Sequence, residues 1–316
     1  MQHDSAMIKK RERTRLLLRI RDRWQIYLLL VLPLTYLIIF SYGPMGGLLI
    51  AFKRYNFALG IFGSPWVGFE NFRRFLQSYK FMQVFRNTLT LSLYSLCVGF
   101  PIPIIFALLL NALPYRMYQK TIQTVTYIPH FISTVVMVGL IFQLLNNRNG
   151  LYGSVAIFLT HKMPPDLLAV GTNFKHIFVW SGIWQGTGYA SVIYFAALSN
   201  VDPALHEAAL VDGATRFQRV LYVDIPSIMP TASIMLILGM GGIMNVAFEK
   251  ALLMQNSLNI NYSEVISSYV YKVGLASGIN DFSLSAAIGM FNSVINFLLL
   301  VITNWGSKKL SGSGIF

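Results

Sequence analysis

Few residues of this 316-residue chain could do chemistry, because only 12% of them are charged. The densest polar passage, 207–226, holds three acids and two arginines. At its start His206-Glu207 is followed by Ala-Ala-Leu, so the H-E-x-x-H spacing of a zinc enzyme is absent. No Gly-Lys dipeptide and no G-x-S-x-G occur, which excludes a P-loop and a serine nucleophile elbow. The sequence therefore predicts a protein that is not an enzyme and binds no metal or other cofactor of its own.

The polar passage stands in an apolar chain, with 55% hydrophobic residues and a mean hydropathy of +0.56. A helix needs about 20 apolar residues to cross a membrane, and a β-barrel would show short alternating segments instead. Six windows longer than 20 residues lack Asp, Glu, Lys and Arg: 24–52, 87–115, 121–147, 176–201, 225–248 and 282–307. The predicted fold class is an all-α integral membrane protein with six transmembrane helices.

The charge distribution predicts the orientation. Residues 1–23 hold eight Lys and Arg, and a basic tail of this kind stays in the cytoplasm. The first apolar window is long for a signal peptide and has no A-x-A cleavage site, so it is predicted to be a retained helix. The expected organisation is a basic tail (1–23), a six-span domain (24–307) and a short tail (308–316). Both tails are expected in the cytoplasm.

The loop between the fourth and fifth spans, 199–226, is then cytoplasmic as well. Asp202 precedes a proline and is a suitable N-cap for a first helix. Gly213 can take the left-handed conformation that stops this helix. Thr215 is predicted to cap a second short helix, which Pro226 would end. The pattern indicates a helix, a glycine turn and another helix at the membrane surface.

The sequence of this loop matches a known pattern. The matching residues are Glu207-Ala208-Ala209, Asp212-Gly213-Ala214, Phe217 and Val223-Asp224-Ile225-Pro226. They resemble the EAA loop of permease subunits from binding-protein-dependent ABC importers, with Val223 and Ile225 where the family has Ile and Leu. The resemblance implies a MetI-like permease bundle. It also implies that the loop is a coupling helix, which docks on a separate ATP-hydrolysing subunit.

The resemblance further implies the partners. The chain is expected to form half of a pore with a second, similar permease subunit, as a heterodimer in the bacterial cytoplasmic (inner) membrane. Two ATP-binding subunits would hold ATP and Mg, and an extracytoplasmic binding protein would deliver the substrate. Membrane lipid is expected around the chain, and nucleic acid is not expected as a partner. A merely amphipathic helix at the interface would account for the charges of the loop but not for its spacing.

A permease needs polar or aromatic groups along its path. Gly182, Gly186 and Ala190 predict a face for close helix packing, and Glu249 and Lys250 are expected to pair or to line the outer mouth. The candidates for the path are Trp184, Tyr189, Asn245, Glu249, Lys250, Asn292 and Asn296. An ordinary core or interfacial belt, and a helix–helix hydrogen bond for the asparagines, are the alternatives. His130, after a proline, is predicted to pack at a kink.

Two observations bear on the substrate. The segments 42–44, 68–72 and 267–275 resemble the polysaccharide branch of these permeases, often labelled as aldouronate permeases, which implies an oligosaccharide. The predicted extracytoplasmic segments hold eleven Lys and Arg and five Asp and Glu, which leaves a net charge of +6. A positive mouth would concentrate an anionic ligand, although docking of an acidic binding protein would also explain it. The sequence therefore favours an acidic, uronate-containing oligosaccharide.

An ion-coupled secondary carrier or channel that works without an ATPase is the alternative function. Such a protein needs acids or histidines within its spans as coupling sites. The six windows contain only His130 and His176 as titratable residues of this kind. The alternative is therefore disfavoured.

Overall fold

The computed structural model describes residues 22–276, 278 and 280–311, so most of both predicted tails lies outside it. Within this part of the chain the only β pairing is one isolated bridge between Lys53 and Trp66. The helices are α1 (Trp24–Leu37), α2 (Gly60–Gly63), α3 (Glu70–Leu76), α4 (Phe81–Gly99), α5 (Pro101–Asn111), α6 (Arg116–Tyr127), α7 (Thr134–Leu144), α8 (Leu151–Thr160), α9 (Phe174–Ser199), α10 (Pro203–Val211), α11 (Arg216–Arg219), α12 (Ile225–Met240), α13 (Phe248–Met254), α14 (Ile260–Ser263), α15 (Ile266–Tyr271) and α16 (Phe282–Ser311). The predicted all-α class is confirmed.

Four helical segments of the described chain are long and apolar enough to cross a membrane: Trp24–Phe52, Phe81–Asn111, Arg216–Met240 and Phe282–Lys309. A bent pair made of Arg116–Phe131 and α7 meets the same criterion when its two helices are taken together. Helix α9 has 26 residues and is therefore about 39 Å long, which is enough to cross. Its tryptophans, tyrosines and polar residues lower its hydropathy. These helices are consistent with the six predicted spans.

The first span lies on the outside of the bundle. Helix α1 continues through a π-helical turn (Ile38–Tyr42) into a 3₁₀ helix (Gly43–Phe52). None of the most apolar window of this segment is buried within the chain. Its apolar side chains are therefore free to contact lipid or another subunit.

The described core consists of three clusters of buried apolar side chains. The largest joins α4, α7, α9 and α13 through residues such as Met137 and Phe178. A second surrounds Phe75 and Ile288, and brings α3, α15 and α16 together. The third joins α5 and α9 to the start of α12, around Ile228. Helix α9 takes part in two clusters, so its side chains determine the shape of the bundle interior.

The bent pair Arg116–Phe131 and α7 occupies the position of the third predicted span and is called the third crossing below. Its two halves meet at 99°, between a 3₁₀ turn that contains Pro129 and the start of α7. Ser133 caps α7 with its side chain, and Gln185 Nε2 of α9 donates to the carbonyl oxygen of Ile132 at 2.8 Å. A proline removes a helical hydrogen bond, and the amide of Gln185 satisfies a backbone group at the break. The predicted kink is thus present.

Close packing of α9 depends on a glycine that the sequence did not single out. A Cβ atom at Gly188 would overlap the carbonyl group of Thr126 in α6. By contrast, Gly186 has open space where its Cβ would be, and Gly182, Gly186 and Ala190 line a cavity. The prediction that these three form a packing face is wrong, because their spacing defines a shared face of the helix but not what lies opposite it.

Candidate functional site

The EAA loop (199–226) begins with the helix that its sequence predicts. Oδ1 of Asp202 accepts a hydrogen bond from the backbone nitrogen of Ala204 at 2.9 Å and so caps α10. At the second helix, Thr215 and Gln218 form a capping box, in which each side chain bonds the backbone of the other residue. These caps satisfy amide groups that the first turn of each helix leaves free.

The turn between these two helices depends on Gly213, which has a φ of +76°. The backbone nitrogen of Gly213 donates to Leu210 O at 3.1 Å, and that of Ala214 donates to Ala209 O at 2.9 Å. This pair of bonds is a Schellman motif, which requires a left-handed residue just after the helix. The glycine turn predicted from the sequence is therefore present, and it fixes the angle between α10 and α11.

The second helix differs from the prediction. Helix α11 has only one turn, and a π-helical segment (Val220–Asp224) joins it directly to α12. Pro226 lies in the first turn of α12 and does not end the preceding helix. A proline is compatible with this position, because the first turn of a helix leaves its amide hydrogens unpaired. The chain therefore runs as one helical rod from Arg216 to Met240.

The outer face of the EAA loop has few contacts with the rest of the chain. Glu207, Asp212 and Gly213 are exposed, while Ala209 and Ala214 are half-buried. The apolar side chains of Val211 and Phe217 are 87% and 74% exposed. An exposed face that combines acids with large apolar side chains is suited to bind another protein.

The inner face of the loop is joined to the rod. Nε2 of His206 in α10 lies 3.4 Å from Oδ1 of Asp224, which is almost fully buried. This carboxylate oxygen and Nε of Arg219 have no hydrogen-bond partner among the described residues. No individual role is predicted from the sequence for His206 or Asp224. The signal that could have pointed to Asp224 is its position directly before the charge-free window 225–248.

A separate cavity of about 550 Å³ lies between α4, α9 and α12. Small residues of α9 and Gly239 of α12 contribute to its wall. Its polar lining residues are Ser92, Ser95, Thr134, Gln185, Thr187 and Asn245, and Lys250 is the only charged residue among the described residues that line it. The cavity lies within the bundle, where a path for a polar molecule is expected.

The predicted asparagines form one group beside this cavity. Oδ1 of Asn245 accepts hydrogen bonds from Nδ2 of Asn292 at 2.7 Å and from Nδ2 of Asn296 at 3.3 Å. Oδ1 of Asn296 in turn accepts from the backbone nitrogen of Met244 at 2.9 Å. Only Asn245 lines the cavity, while Asn292 and Asn296 are buried behind it. The two residues of α16 thus position the amide of Asn245.

Lys250 is buried, with 5% of its surface exposed. Its Nζ donates to the carbonyl oxygen of Phe178 at 2.9 Å and lies 4.9 Å from the centre of that ring. No ion pair joins Lys250 to any described carboxylate, and Glu249 is exposed. Of the two alternatives expected for Glu249 and Lys250, pairing is wrong, because consecutive residues of a helix do not face each other.

The two aromatic candidates lie away from the cavity. Trp184 lines a separate apolar depression on another face of α9, together with Trp180. Tyr189 stacks on His130 at the bend of the third crossing, with ring centres 4.0 Å apart and planes inclined by 3°. His130 therefore packs at the kink, as predicted, and the geometry of this chain alone assigns neither aromatic residue to the cavity wall.

Several of the predicted extracytoplasmic cations are already engaged within the chain. Glu264, which is buried, binds both Lys80 and Lys272, at 2.8 and 3.0 Å. Arg54 pairs with Glu70 and Arg74 pairs with Asp281. The cations without an ion pair or side-chain hydrogen bond among the described residues are Arg73, Arg86, Arg148, Lys162 and Lys175. These pairs leave the net external charge of +6 unchanged, because the acids are already subtracted, but only five of the eleven cations lack such a partner.

Two relatives from Bacillus subtilis (strain 168) resemble the whole chain. Protein LplB is 39% identical, over 94% of this chain and 92% of its own length. The polygalacturonan/rhamnogalacturonan transport system permease protein YteP is 36% identical, over 99% of this chain and 97% of its own length.

Solved structures agree with this relationship. A chain of a bacterial ABC transporter involved in the import of the acidic polysaccharide alginate superposes with a TM-score of 0.86. It is 35% identical, and the match covers 94% of this chain and 99% of that one. The alginate transporter in complex with alginate pentasaccharide-bound periplasmic protein gives the same TM-score at 34% identity, over 94% and 98% of the two chains.

The family comparison includes the EAA loop and most of the residues that line the cavity. Residues 99–312 match the model of the family described as "Binding-protein-dependent transport system inner membrane component". This stretch begins in the second span and ends beyond the last one. The chain belongs to the family of binding-protein-dependent transport system inner membrane components.

Proposed function

We propose that this chain is one of two permease subunits of an ATP-driven importer and forms half of its translocation pathway. The observation that carries the proposal is the EAA loop, whose two capped helices expose acidic and apolar side chains outward. In the proposed complex this face docks on one of two ATP-binding subunits, which hold ATP and Mg. The site consists of Glu207, Ala208, Ala209, Asp212, Gly213, Ala214, Phe217, Ile225 and Pro226. The chain itself then does no catalysis.

The connection from the loop to the cavity supports this coupling role. The helical rod from Arg216 to Met240 has 25 residues and is therefore about 37 Å long. In the part of the rod near the loop, Asp224 lies beside His206 of α10. Near the other end of the rod, Met235 and Gly239 line the cavity. A displacement of the loop would therefore move a wall of the cavity. ATP binding would draw the loops of the two permeases together and open the cavity toward the binding protein.

The substrate class is proposed from two relationships. The solved relatives at 34–35% identity import alginate, an acidic polysaccharide, and YteP is named for polygalacturonan and rhamnogalacturonan. Both groups of polymers contain uronates, which are sugars that carry a carboxylate. We therefore infer that the substrate is an acidic, uronate-containing oligosaccharide, which an extracytoplasmic binding protein delivers. Both termini of the chain are proposed to face the cytoplasm.

The test uses the purified complex of both permeases and the ATPase in vesicles, with the binding protein outside. Oligogalacturonate is expected to stimulate ATP hydrolysis strongly, whereas a neutral oligosaccharide of equal length is expected to stimulate it only weakly. Stimulation by neutral sugars alone would contradict an acidic substrate. Uptake by this chain without the ATPase would instead favour a secondary carrier or channel.

The docking role of the loop is tested separately. The change Glu207→Lys reverses a charge on the exposed face of α10 and is expected to reduce co-purification of the ATPase severalfold. Membrane insertion should not change, because the side chain is exposed. The control is Glu249→Lys, which reverses an exposed charge in α13, outside the EAA loop. Equal loss of the ATPase from both variants would argue against the coupling assignment.

A further inference from the structure

We propose that Lys250 is the carboxylate-binding residue of the translocation cavity, and that it contacts the uronate groups of the substrate during passage. This inference rests on the proposed function, since it assumes an acidic oligosaccharide. The first observation is that Lys250 is the only charged residue among the described residues that line the cavity. An anionic sugar that enters this space therefore meets one fixed positive charge.

The second observation is that this charge is buried without a counter-ion. Removing an ammonium group from water costs several kcal/mol unless a carboxylate or several hydrogen bonds compensate for it. Lys250 Nζ has one protein acceptor, Phe178 O, and no described carboxylate lies within ion-pair distance. An ammonium group has three N–H donors, so two remain for a ligand. A purely structural residue at this position would be more stable without its charge.

The third observation is that α9 leaves room for the ammonium group. A Cβ atom at Gly182 would lie 3.3 Å from Lys250 Nζ, which is a crowded contact. Gly182 also lines the cavity, so glycine at this position gives the ammonium group space at the cavity wall. Asn245, whose amide Asn292 and Asn296 hold in place, lines the same cavity and can bond sugar hydroxyls. The wall thus combines a cation for a carboxylate with an amide for neutral parts of a sugar.

The experiment compares uptake of oligogalacturonate with uptake of its neutral methyl ester by the complete complex in vesicles. A charged hydrogen bond contributes about 1.5–3 kcal/mol, so Lys250→Met is expected to reduce uptake of the acid about tenfold to a hundredfold. Uptake of the ester should not fall. Lys250→Arg keeps the charge and is expected to retain more uptake of the acid than Lys250→Met. Loss of a buried, unpaired charge should not harm folding, and amounts of assembled complex check this point.

Glycine variants provide a second test of the site, with the same two uptake measurements. Gly182→Ala crowds the ammonium group and is expected to reduce uptake of the acid more than uptake of the ester. Gly289→Ala is the matched control, because open space surrounds its Cβ position and Gly289 does not line the cavity. Equal behaviour of these two variants would contradict the proposed geometry.

The outcomes separate this inference from the proposed function. Native uptake of the acid together with unchanged uptake by Lys250→Met would overturn the role of Lys250 and leave the acidic substrate intact. If the native complex imports no acidic sugar, the proposed function fails. In that case carbodiimide coupling still tests the site, because it joins a carboxylate to a neighbouring amine. An oligogalacturonate adduct at Lys250, detected by mass spectrometry in the native complex, would support the site, and absence of the adduct would overturn it.

Discussion

Nε2 of His206 lies 3.4 Å from Oδ1 of Asp224, and this contact joins the exposed helix of the EAA loop to the rod that reaches the cavity. The carboxylate is almost fully buried, so its position is fixed by the base of the bundle. The histidine is on the loop that is proposed to bind the ATPase. In the proposed complex these two residues would therefore transmit a movement of the loop to the rod.

Loss of this contact is expected to weaken coupling without preventing assembly. His206→Ala should lower the amount of substrate imported per ATP hydrolysed severalfold, because α10 could then move without the rod. Co-purification of the ATPase should remain normal, since the exposed docking face is unchanged. Asp202→Asn is the control, because asparagine caps a helix as well as aspartate does. Normal stoichiometry in His206→Ala would show that the contact transmits no movement.

The left-handed turn at Gly213 gives a second prediction. No atom lies within 4 Å of its Cβ position, so a substitution there meets backbone strain and no steric clash. Left-handed backbone costs most residues about 1–2 kcal/mol, least for asparagine and most for β-branched residues. Gly213→Val is therefore expected to insert normally but to lose most ATP-driven uptake, while Gly213→Asn should retain most of it. Full uptake by the valine variant would mean that the angle between α10 and α11 is unimportant.

The asparagine group beside the cavity gives a third prediction. Asn245→Leu removes the acceptor of Asn292 and Asn296 as well as a polar group of the cavity wall. Two buried amides then lack a partner, at a cost of about 1–3 kcal/mol each. Uptake in vesicles should fall at least tenfold, whereas the outward-facing Leu298→Ile should have little effect. Docking of the ATPase should be normal in both variants, and native uptake by Asn245→Leu would place this residue outside the path.

Helix packing gives a fourth prediction. Gly188→Ala introduces a methyl group against the backbone of Thr126 and should destabilise the bundle by about 1–3 kcal/mol, as overpacking does. Gly186→Ala, two residues away, places its methyl group in open space and should preserve stability. Thermal unfolding in detergent compares the two. Equal melting temperatures would indicate that α6 and α9 can move apart without loss of stability.

The buried acid Glu264 gives a fifth prediction. Glu264→Gln removes the partner of both Lys80 and Lys272 and should destabilise the chain by about 2–3 kcal/mol, whereas Lys272→Gln should cost less because Lys80 remains paired. The hydrogen bond to Glu264 raises the pKa of Lys80 above 10.5. The stability that the pair of Lys80 with Glu264 contributes is therefore complete below pH 10.5 and is lost as the pH rises through the raised pKa of Lys80. Melting temperatures should converge only at strongly alkaline pH.

The sequence predicted those features that depend on local chemistry. The caps at Asp202 and Thr215, the turn at Gly213 and the kink after Pro129 each follow from what one side chain or backbone can do. Long apolar windows likewise predicted the helices, because the membrane requires a minimum length.

Features that depend on what lies opposite a residue could not be predicted in the same way. The spacing of Gly182 and Gly186 placed them on one face of α9, yet that face borders a cavity, while Gly188 makes the close contact. Pro226 has the same local chemistry at the end of one helix as at the start of another, and only the continuous rod decides between them. Partners distant in the chain, such as Phe178 for Lys250, have no local signature.

The bent third crossing has a consequence for membrane insertion. Its two straight helices, α6 and α7, have 12 and 11 residues and are each less than about 20 Å long, so neither crosses the hydrocarbon alone. Their junction is held by Gln185, and α6 packs on Gly188, both of which belong to the later helix α9. These two contacts are therefore absent until α9 has been synthesised. Nascent chains that stop before residue 174 are expected to leave the 116–144 segment incompletely inserted, and chains that include α9 should complete it.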